Sequence, residues 1–134
     1  MNVDEIMVRK LETIGSDAPV YDAIEKMVDK RIRSLLVKPK DEKDIPGVVT
    51  IRDIVYKVLA KGLDPNKIRI GEIASKPVVT VNKDMDMTHV INLMTKFNIT
   101  RVFVSNGKDI AGVVSLMDVL SGALIERAKG GRLV

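Results

Sequence analysis

The chain has 134 residues, of which 46% are hydrophobic and 30% are charged, the balance of a globular domain rather than of a disordered segment. It has no cysteine and one histidine, so disulfides, cysteine-ligated metals and histidine-rich metal sites are excluded. No apolar run approaches the ~20 residues of a membrane span, and residues 1–5 lack the features of a signal peptide, so the sequence predicts a cytoplasmic protein without a membrane segment.

The formal net charge of +4 and the isoelectric point near 9.4 raise the question of nucleic-acid binding. Basic and acidic side chains are interleaved, however, as in Asp29-Lys30-Arg31. Aromatic residues make up 3% of the chain, too few for a base-stacking platform. The charges are more typical of solvated helix faces. Nucleic acid is therefore not the expected partner, although the sequence does not exclude it.

The chain contains two copies of one pattern. A shift of 67 residues aligns residues 3–6 with 70–73, and a shift of 65 aligns GVVTIRD at 47–53 with GVVSLMD at 112–118. The two-residue difference falls in the polar, proline-containing stretch 38–46, where a surface loop tolerates it. The sequence thus predicts a first repeat over 1–66, a second repeat over 67–128 and a flexible tail over 129–134.

The first repeat begins with a β-branched run, Leu11–Ile14, which predicts a strand. A helix should start at Ser16 or Asp17, the preferred capping residues, with Pro19 in its first turn. Its apolar residues have the spacing of one buried helical face: Val20, Ala23, Ile24, Met27 and Val28. Strands over Ser34–Val37 and Gly47–Thr50 and a closing helix from Ile51 to Gly62 complete the repeat.

The second repeat predicts the same order of elements. A strand over Val78–Val81 precedes a helix that should start at Asn82 or Asp84. Strands over Arg101–Val104 and Ile110–Ser115 flank Asn106-Gly107, a strong signal for a hairpin, and a closing helix follows. Each repeat is thus predicted as β-α-β-β-α, giving a fold of the α/β class, α+β type. Because two helices cover only one face of such a sheet, we expect the repeats to pack sheet to sheet about a pseudo-two-fold axis, with a cleft on each side.

The candidate chemistry lies where the last strand of each repeat meets the closing helix. Thr50 and Asp53 are spaced as a capping box, and so are Ser115 and Asp118. One interpretation is that these pairs only stabilise the helix starts. The other is that they hold a nucleotide, because a helix N-terminus and a hydroxyl can bind phosphate while a carboxylate accepts hydrogen bonds from a ribose diol. Both interpretations stay open on the pattern alone.

The two copies resemble the CBS domain family, named for cystathionine β-synthase, and the pair resembles a stand-alone tandem CBS module. The resemblance covers about residues 3 to 124 and rests on three repeated stretches. These are the leading segments VDEIM and IGEIASKPVVTV, the helices with APVYDAIEKM and DMTHVINLM, and the closing motifs GVVTIRDI and GVVSLMDV.

The resemblance implies regulatory binding of AMP, ADP or ATP, and in some members of S-adenosylmethionine or NAD, in the clefts between the copies. It assigns ribose to Asp53 and Asp118 and phosphate to Thr50 and Ser115. It assigns the adenine to Leu11–Thr13 and Val78–Thr80. The phosphate-facing cations would be Arg52, Arg33 and Arg101. Because Met117 stands where the first copy has Arg52, we expect unequal sites.

No resident cofactor and no enzymatic activity are expected, since the sequence carries no recognisable catalytic motif. The resemblance also implies a homodimer formed through helix faces and an effector protein that receives the signal. Two alternatives stay open: a structural dimerisation module with non-functional clefts, and an adaptor for a protein or a nucleic acid. Strong salt dependence of binding would point to the nucleic-acid adaptor.

Overall fold

The computed structural model describes residues 1–133 and divides into two compact units. The central unit is Glu12–Val78, and the terminal unit combines Met1–Leu11 with the residues from Val79 onward. Each unit contains a three-stranded sheet together with helices. This confirms the mixed α/β class that the sequence predicts.

The central unit contains β1 (Thr13–Gly15), α1 (Val20–Lys30), β2 (Ser34–Lys38), β3 (Gly47–Thr50), α2 (Ile51–Ile54) and α3 (Ile70–Ile73). Helix α2 continues directly as a π-helical turn, Val55–Leu59, and the chain leaves it through Gly62, whose φ is 68°. Strand β2 lies in the middle of the sheet, parallel to β1 and antiparallel to β3. The predicted order β-α-β-β-α is present here.

The terminal unit contains a 3₁₀ turn (Val3–Glu5), β4 (Thr80–Asn82), α4 (Met87–Phe97), β5 (Arg101–Ser105), β6 (Ile110–Ser115) and α5 (Leu116–Ala128). Its sheet has the same topology, with β5 parallel to β4 and antiparallel to β6. The predicted hairpin joins β5 to β6. The Asn106 side chain accepts a hydrogen bond from the Asp109 N–H at 2.8 Å, and Gly107 takes a φ of 97°.

The segment that leads into each repeat packs on the sheet of the other repeat. In the central unit, Ser75 and Val48 exchange backbone hydrogen bonds of 2.9 and 3.0 Å. In the terminal unit, Val8 and Val113 form the corresponding bridge, with bonds of 2.8 and 3.0 Å. The chain therefore passes from one unit to the other after Leu11 and again after Val78.

The predicted capping residues of the first helix of each repeat lie two to four positions before the observed N-caps. Helix α1 begins at Val20 with Pro19 as its N-cap, and α4 begins at Met87, where the Asp86 side chain accepts from the Thr88 N–H at 2.8 Å. The residues before them are held in loops by the leading segments. Thus the Ser16 carbonyl accepts from the Gly71 N–H at 2.9 Å. Pairing with a distant segment outweighs the local capping preference of Ser16 and Asp17.

The buried faces of the helices follow the predicted periodicity. Helix α1 buries Val20, Ala23 and Met27 in the core of the central unit, and α4 packs equivalent residues into the core of the terminal unit. Val28, which was expected on the buried face, is instead 69% exposed because the apolar face ends one residue earlier.

Residues of the predicted tail, up to position 133, contact the terminal unit. The Gly131 N–H donates to the Glu126 carbonyl at 2.9 Å, and Leu133 is buried in the core of the terminal unit. The last residue, Val134, lies outside the described residues.

Candidate functional site

The junction between β3 and α2 is built as a capping box. The Asp53 N–H donates to the Thr50 hydroxyl oxygen at 3.2 Å, and the Thr50 N–H donates to Oδ2 of Asp53 at 2.9 Å. The Thr50 hydroxyl also donates to the same Oδ2 at 3.1 Å. The structural role expected for this pair, stabilisation of a helix start, is therefore present.

The junction between β6 and α5 repeats this arrangement. The Asp118 N–H donates to the Ser115 hydroxyl oxygen at 3.3 Å, and the Ser115 N–H and hydroxyl donate to Oδ2 of Asp118 at 2.8 and 3.0 Å. Both carboxylates thus lie in the first turn of a helix, where the partial positive charge of the backbone N–H groups favours an anion. In each pair, the aspartate accepts the capping hydrogen bonds through Oδ2, and Oδ1 takes no part in them.

The two carboxylates differ in the surroundings of Oδ1. Oδ1 of Asp53 lies 3.0 Å from Nζ of Lys57, one helical turn further along, and this side chain of Asp53 is 14% exposed. Nζ of Lys57 also donates to the Ile73 carbonyl at 3.0 Å, at the end of α3. Among residues 1–133, Oδ1 of Asp118 has no hydrogen-bond or ion-pair partner.

The three predicted cations lie beside these two junctions. Arg52 is exposed in the first turn of α2, and its guanidinium lies 5.0 Å from the ring centre of Tyr56. The carbonyl of Arg33 accepts from the Ile51 N–H at 3.1 Å, which places Arg33 at the start of the same helix. Arg101 lies directly opposite Ser115 in the pairing of β5 with β6.

The residues predicted to frame adenine lie at the beginning of the first strand of each sheet. Thr13 and Thr80 are the first residues of β1 and β4, whereas Leu11 and Val78 precede these strands. The predicted strands therefore start about two residues too early. The Thr13 carbonyl accepts a hydrogen bond of 2.7 Å from Nζ of Lys26 on α1.

Two residues of these sites, Lys26 and Lys57, were not predicted from the sequence. The spacing of Asp53 and Lys57, four positions apart on a helix, is the acid–base spacing that brings side chains together, so the sequence carried a signal for that contact. No comparable local signal exists for Lys26, which is 13 positions from Thr13 and reaches it only through the packing of α1 on β1.

The repeated arrangement agrees with a known family. A family model of the CBS domain matches residues 3–60 and 70–124, once in each sequence repeat. The chain belongs to the CBS domain family. The paired CBS module is generally a regulatory, ligand-binding domain.

Relatives and solved structures agree with this membership. The chain is 41% identical to the hexameric CBS-CP12 protein of bloom-forming cyanobacteria, with a TM-score of 0.83 over 90% of this chain and 66% of the other. A CBS-domain protein of Burkholderia ambifaria is 28% identical, with a TM-score of 0.84 over 95% and 96% of the two chains. An uncharacterised protein of Methanopyrus kandleri is 32% identical over 90% of this chain and 61% of its own length.

The chain is shorter than several of its relatives. It spans 55% to 62% of the length of the curated relatives from Methanopyrus kandleri, Arabidopsis thaliana and Methanocaldococcus jannaschii.

The closing helix of each CBS repeat presents apolar side chains to solvent. The exposed side chains follow a four-residue spacing: Ile51, Val55 and Leu59 in the first repeat, and Leu116, Leu120 and Leu124 in the second. Val58, in contrast, is fully buried. The structure thus separates surface from core in these helices, which the sequence did not.

A groove of about 190 Å³ lies between α4 and the start of α5 in the terminal unit. Its lining includes Met94, Leu116 and Val119 but none of the residues predicted to bind ligand. Among residues 1–133, no helix is long and apolar enough to cross a membrane, and no three acidic or histidine side chains are grouped as metal ligands would be.

Proposed function

We propose that this CBS pair binds an adenosine nucleotide (AMP, ADP or ATP) and acts as a regulatory module in the cytoplasm rather than as an enzyme. The observation that carries the proposal is that one arrangement of hydroxyl, carboxylate and helix start occurs twice. It joins β3 to α2 and β6 to α5, in a family whose paired modules are generally regulatory.

The chemistry of the arrangement suits a nucleotide. A carboxylate with an accessible oxygen accepts charge-assisted hydrogen bonds from both hydroxyls of a ribose diol, which a neutral side chain cannot do as well. We assign this role to Asp53 and Asp118. The Thr50 and Ser115 hydroxyls suit phosphate oxygens, which would replace Oδ2 of Asp53 and of Asp118 as their hydrogen-bond acceptors.

The remaining assignments follow the position of each residue beside the junctions. Arg52, Arg33 and Arg101 would neutralise phosphate, and guanidinium groups are well suited to that task. Leu11, Thr13, Val78 and Thr80 would frame the adenine ring. Because S-adenosylmethionine and NAD share the adenosyl group, they belong in the same test.

A bound nucleotide would act by shifting an equilibrium. It favours one arrangement of the protein over another only to the extent that it binds the two arrangements with different affinity. We propose that the module self-associates through the exposed apolar faces of its closing helices, and the cyanobacterial relative is described as hexameric. An effector protein would then respond to the change.

Calorimetric titration tests the proposal. We expect saturable binding of at least one of AMP, ADP, ATP, S-adenosylmethionine and NAD, weakened about tenfold or more by loss of a ribose-binding carboxylate. Asp53→Asn and Asp118→Asn are the matched variants, since each keeps the size of the side chain. If none of these compounds binds, the two pairs act only as helix caps, and the module is a structural dimerisation unit or an adaptor for a protein or a nucleic acid.

A further inference from the structure

The two CBS repeats differ in whether an internal cation already occupies the proposed ribose carboxylate. In the first repeat, Nζ of Lys57 lies 3.0 Å from Oδ1 of Asp53 and donates to the Ile73 carbonyl at 3.0 Å. The ammonium group is thus held from two sides. A ribose hydroxyl that donates to Oδ1 has to displace Lys57 or share the oxygen with it.

The second repeat lacks this cation. Position 122, four residues after Asp118, is glycine. A Cβ atom at 122 would lie 3.1 Å from Cγ2 of Ile6, so the helix packs too closely there for a lysine without a shift of its neighbours. The leading segment, which contributes Ile6, therefore keeps the surroundings of Asp118 free of a competing side chain from that position.

The first strands of the two sheets show a second difference of the same kind: a lysine contacts β1, and no lysine stands at the equivalent position for β4. Nζ of Lys26 donates to the Thr13 carbonyl at 2.7 Å and lies 3.6 Å from Oε2 of Glu12. The equivalent of Lys26 on α4 is Leu93, which has no donor to offer to the backbone of Thr80. In the first repeat a lysine therefore contacts each of two groups proposed for ligand binding, and in the second repeat neither lysine is present.

We propose that Lys57 is an internal competitor for the first ribose carboxylate, so that Asp118 of the second repeat carries the principal nucleotide site and Lys57 sets the occupancy of the first. This inference rests on the proposed function. Lys57 is 46% exposed, so water solvates its ammonium group once it is displaced from Asp53. Because displacement also breaks its second hydrogen bond, the penalty corresponds to about tenfold in affinity.

Titration of AMP into the wild-type chain and into Lys57→Met tests this proposal. We expect one principal AMP per wild-type chain, lost in Asp118→Asn, and a second, weaker binding event that Asp53→Asn abolishes. Lys57→Met should strengthen this second, Asp53-dependent binding event by about tenfold. Lys61→Met is the matched control, because it removes the same charge from an exposed position just after the same helix.

Each alternative result has a definite meaning. If Asp53→Asn abolishes binding while Asp118→Asn retains it, or if Lys57→Met and Lys61→Met behave alike, the competitor role is overturned and the nucleotide function stands. If neither the wild type nor Lys57→Met binds AMP or any other adenosyl compound of the panel, the proposed function fails and this inference fails with it. Thermal melting of every variant excludes unfolding as the cause of lost binding.

Discussion

Ser16 and Gly71 form one of the contacts that hold the segment before β4 against the rest of the central unit. The Gly71 N–H donates to the Ser16 carbonyl at 2.9 Å, and Ser16 is 4% exposed. Within the described chain the Ser16 hydroxyl has no hydrogen-bond partner. A Cβ atom at position 71 would collide with this hydroxyl oxygen. Any larger residue at 71 therefore forces the buried Ser16 hydroxyl to shift.

Gly71→Ala should therefore lower the free energy of unfolding by about 1–3 kcal/mol, the usual cost of overpacking. Ser16→Ala should be nearly neutral, because it removes a buried hydroxyl that makes no hydrogen bond, and it should rescue Gly71→Ala. Urea denaturation of the two single variants and the double variant measures this coupling. Gly15→Ala is the control, since a Cβ there meets no atom within 4 Å. If Gly71→Ala costs as much in the Ser16→Ala background as in the wild type, the explanation is contradicted.

The sequence predicted which residues form the candidate site, but not which other side chains contact them. The pairs Thr50/Asp53 and Ser115/Asp118 could be predicted because a capping box is a local pattern of four residues. The contact of Lys26 with Thr13 could not, because it depends on how α1 packs on β1. The unequal surroundings of Asp53 and Asp118 follow from one local difference, Lys57 against Gly122, and from the position of Ile6 in a distant segment.

An ion pair holds the charged loop between β2 and β3 to the segment before β4. Nζ of Lys76 lies 2.7 Å from Oδ1 of Asp44, and the Lys40 N–H donates to Oδ2 of Asp44 at 2.8 Å. The hydrogen bond from Lys76, followed by backbone hydrogen bonds from Lys40 and Ile45, lowers the pKa of Asp44 from 3.8 to about 2. The segment before β4, which carries Lys76, thereby holds the loop whose length distinguishes the two repeats.

This depressed pKa predicts a stability difference with a defined pH range. A carboxyl whose pKa is lower in the folded protein stabilises it above the unfolded pKa, and that contribution fades as pH falls from about 4 towards 2. Lys76→Met should therefore have a lower melting temperature than the wild type at pH 7, and the gap should narrow below pH 4. Lys43→Met, in the same loop, is the charge-matched control. A gap that stays constant down to pH 2 would contradict this account of the anchor.

Helices and strands were predicted correctly where neighbouring residues determine them. Their ends were misplaced where hydrogen bonds to a distant segment determine them. The hairpin at Asn106-Gly107 and the strand Gly47–Thr50 agree with the sequence because turn chemistry and β-branched residues decide them. The starts of α1 and α4 were misplaced because the leading segments hold the preceding residues in loops. Capping propensity is a weak preference that such pairing overrides.

The path of the whole chain could not be predicted from the repeats. Sequence similarity groups residues 1–11 with the first repeat, whereas they pack on the sheet of the second. The two leading segments are nearly equivalent, and their choice of sheet depends on packing between distant residues rather than on any local pattern. The result is that each compact unit is built from both sequence repeats.

The exposed apolar faces predict self-association of the whole molecule. Leu120 is 63% exposed in the middle of the face formed by Leu116, Leu120 and Leu124. Leu120→Lys should leave folding intact but weaken association by about tenfold or more, because a charge would be desolvated in an apolar interface. Ser121→Lys is the control, since it adds the same charge at the neighbouring exposed position. Sedimentation velocity over a range of concentrations measures both; equal behaviour of the two variants would contradict the assignment of this face.

The claim that the repeated carboxylates recognise a ribose is tested most directly by titrating the wild-type chain with AMP and with its 2′,3′-dideoxy analogue. The account predicts saturable binding of AMP and a loss of about tenfold or more for the analogue, which lacks both hydroxyls that the carboxylate would accept. Equal affinity for the two compounds would show that the ribose hydroxyls are not recognised, and no binding of either would contradict nucleotide sensing through AMP altogether.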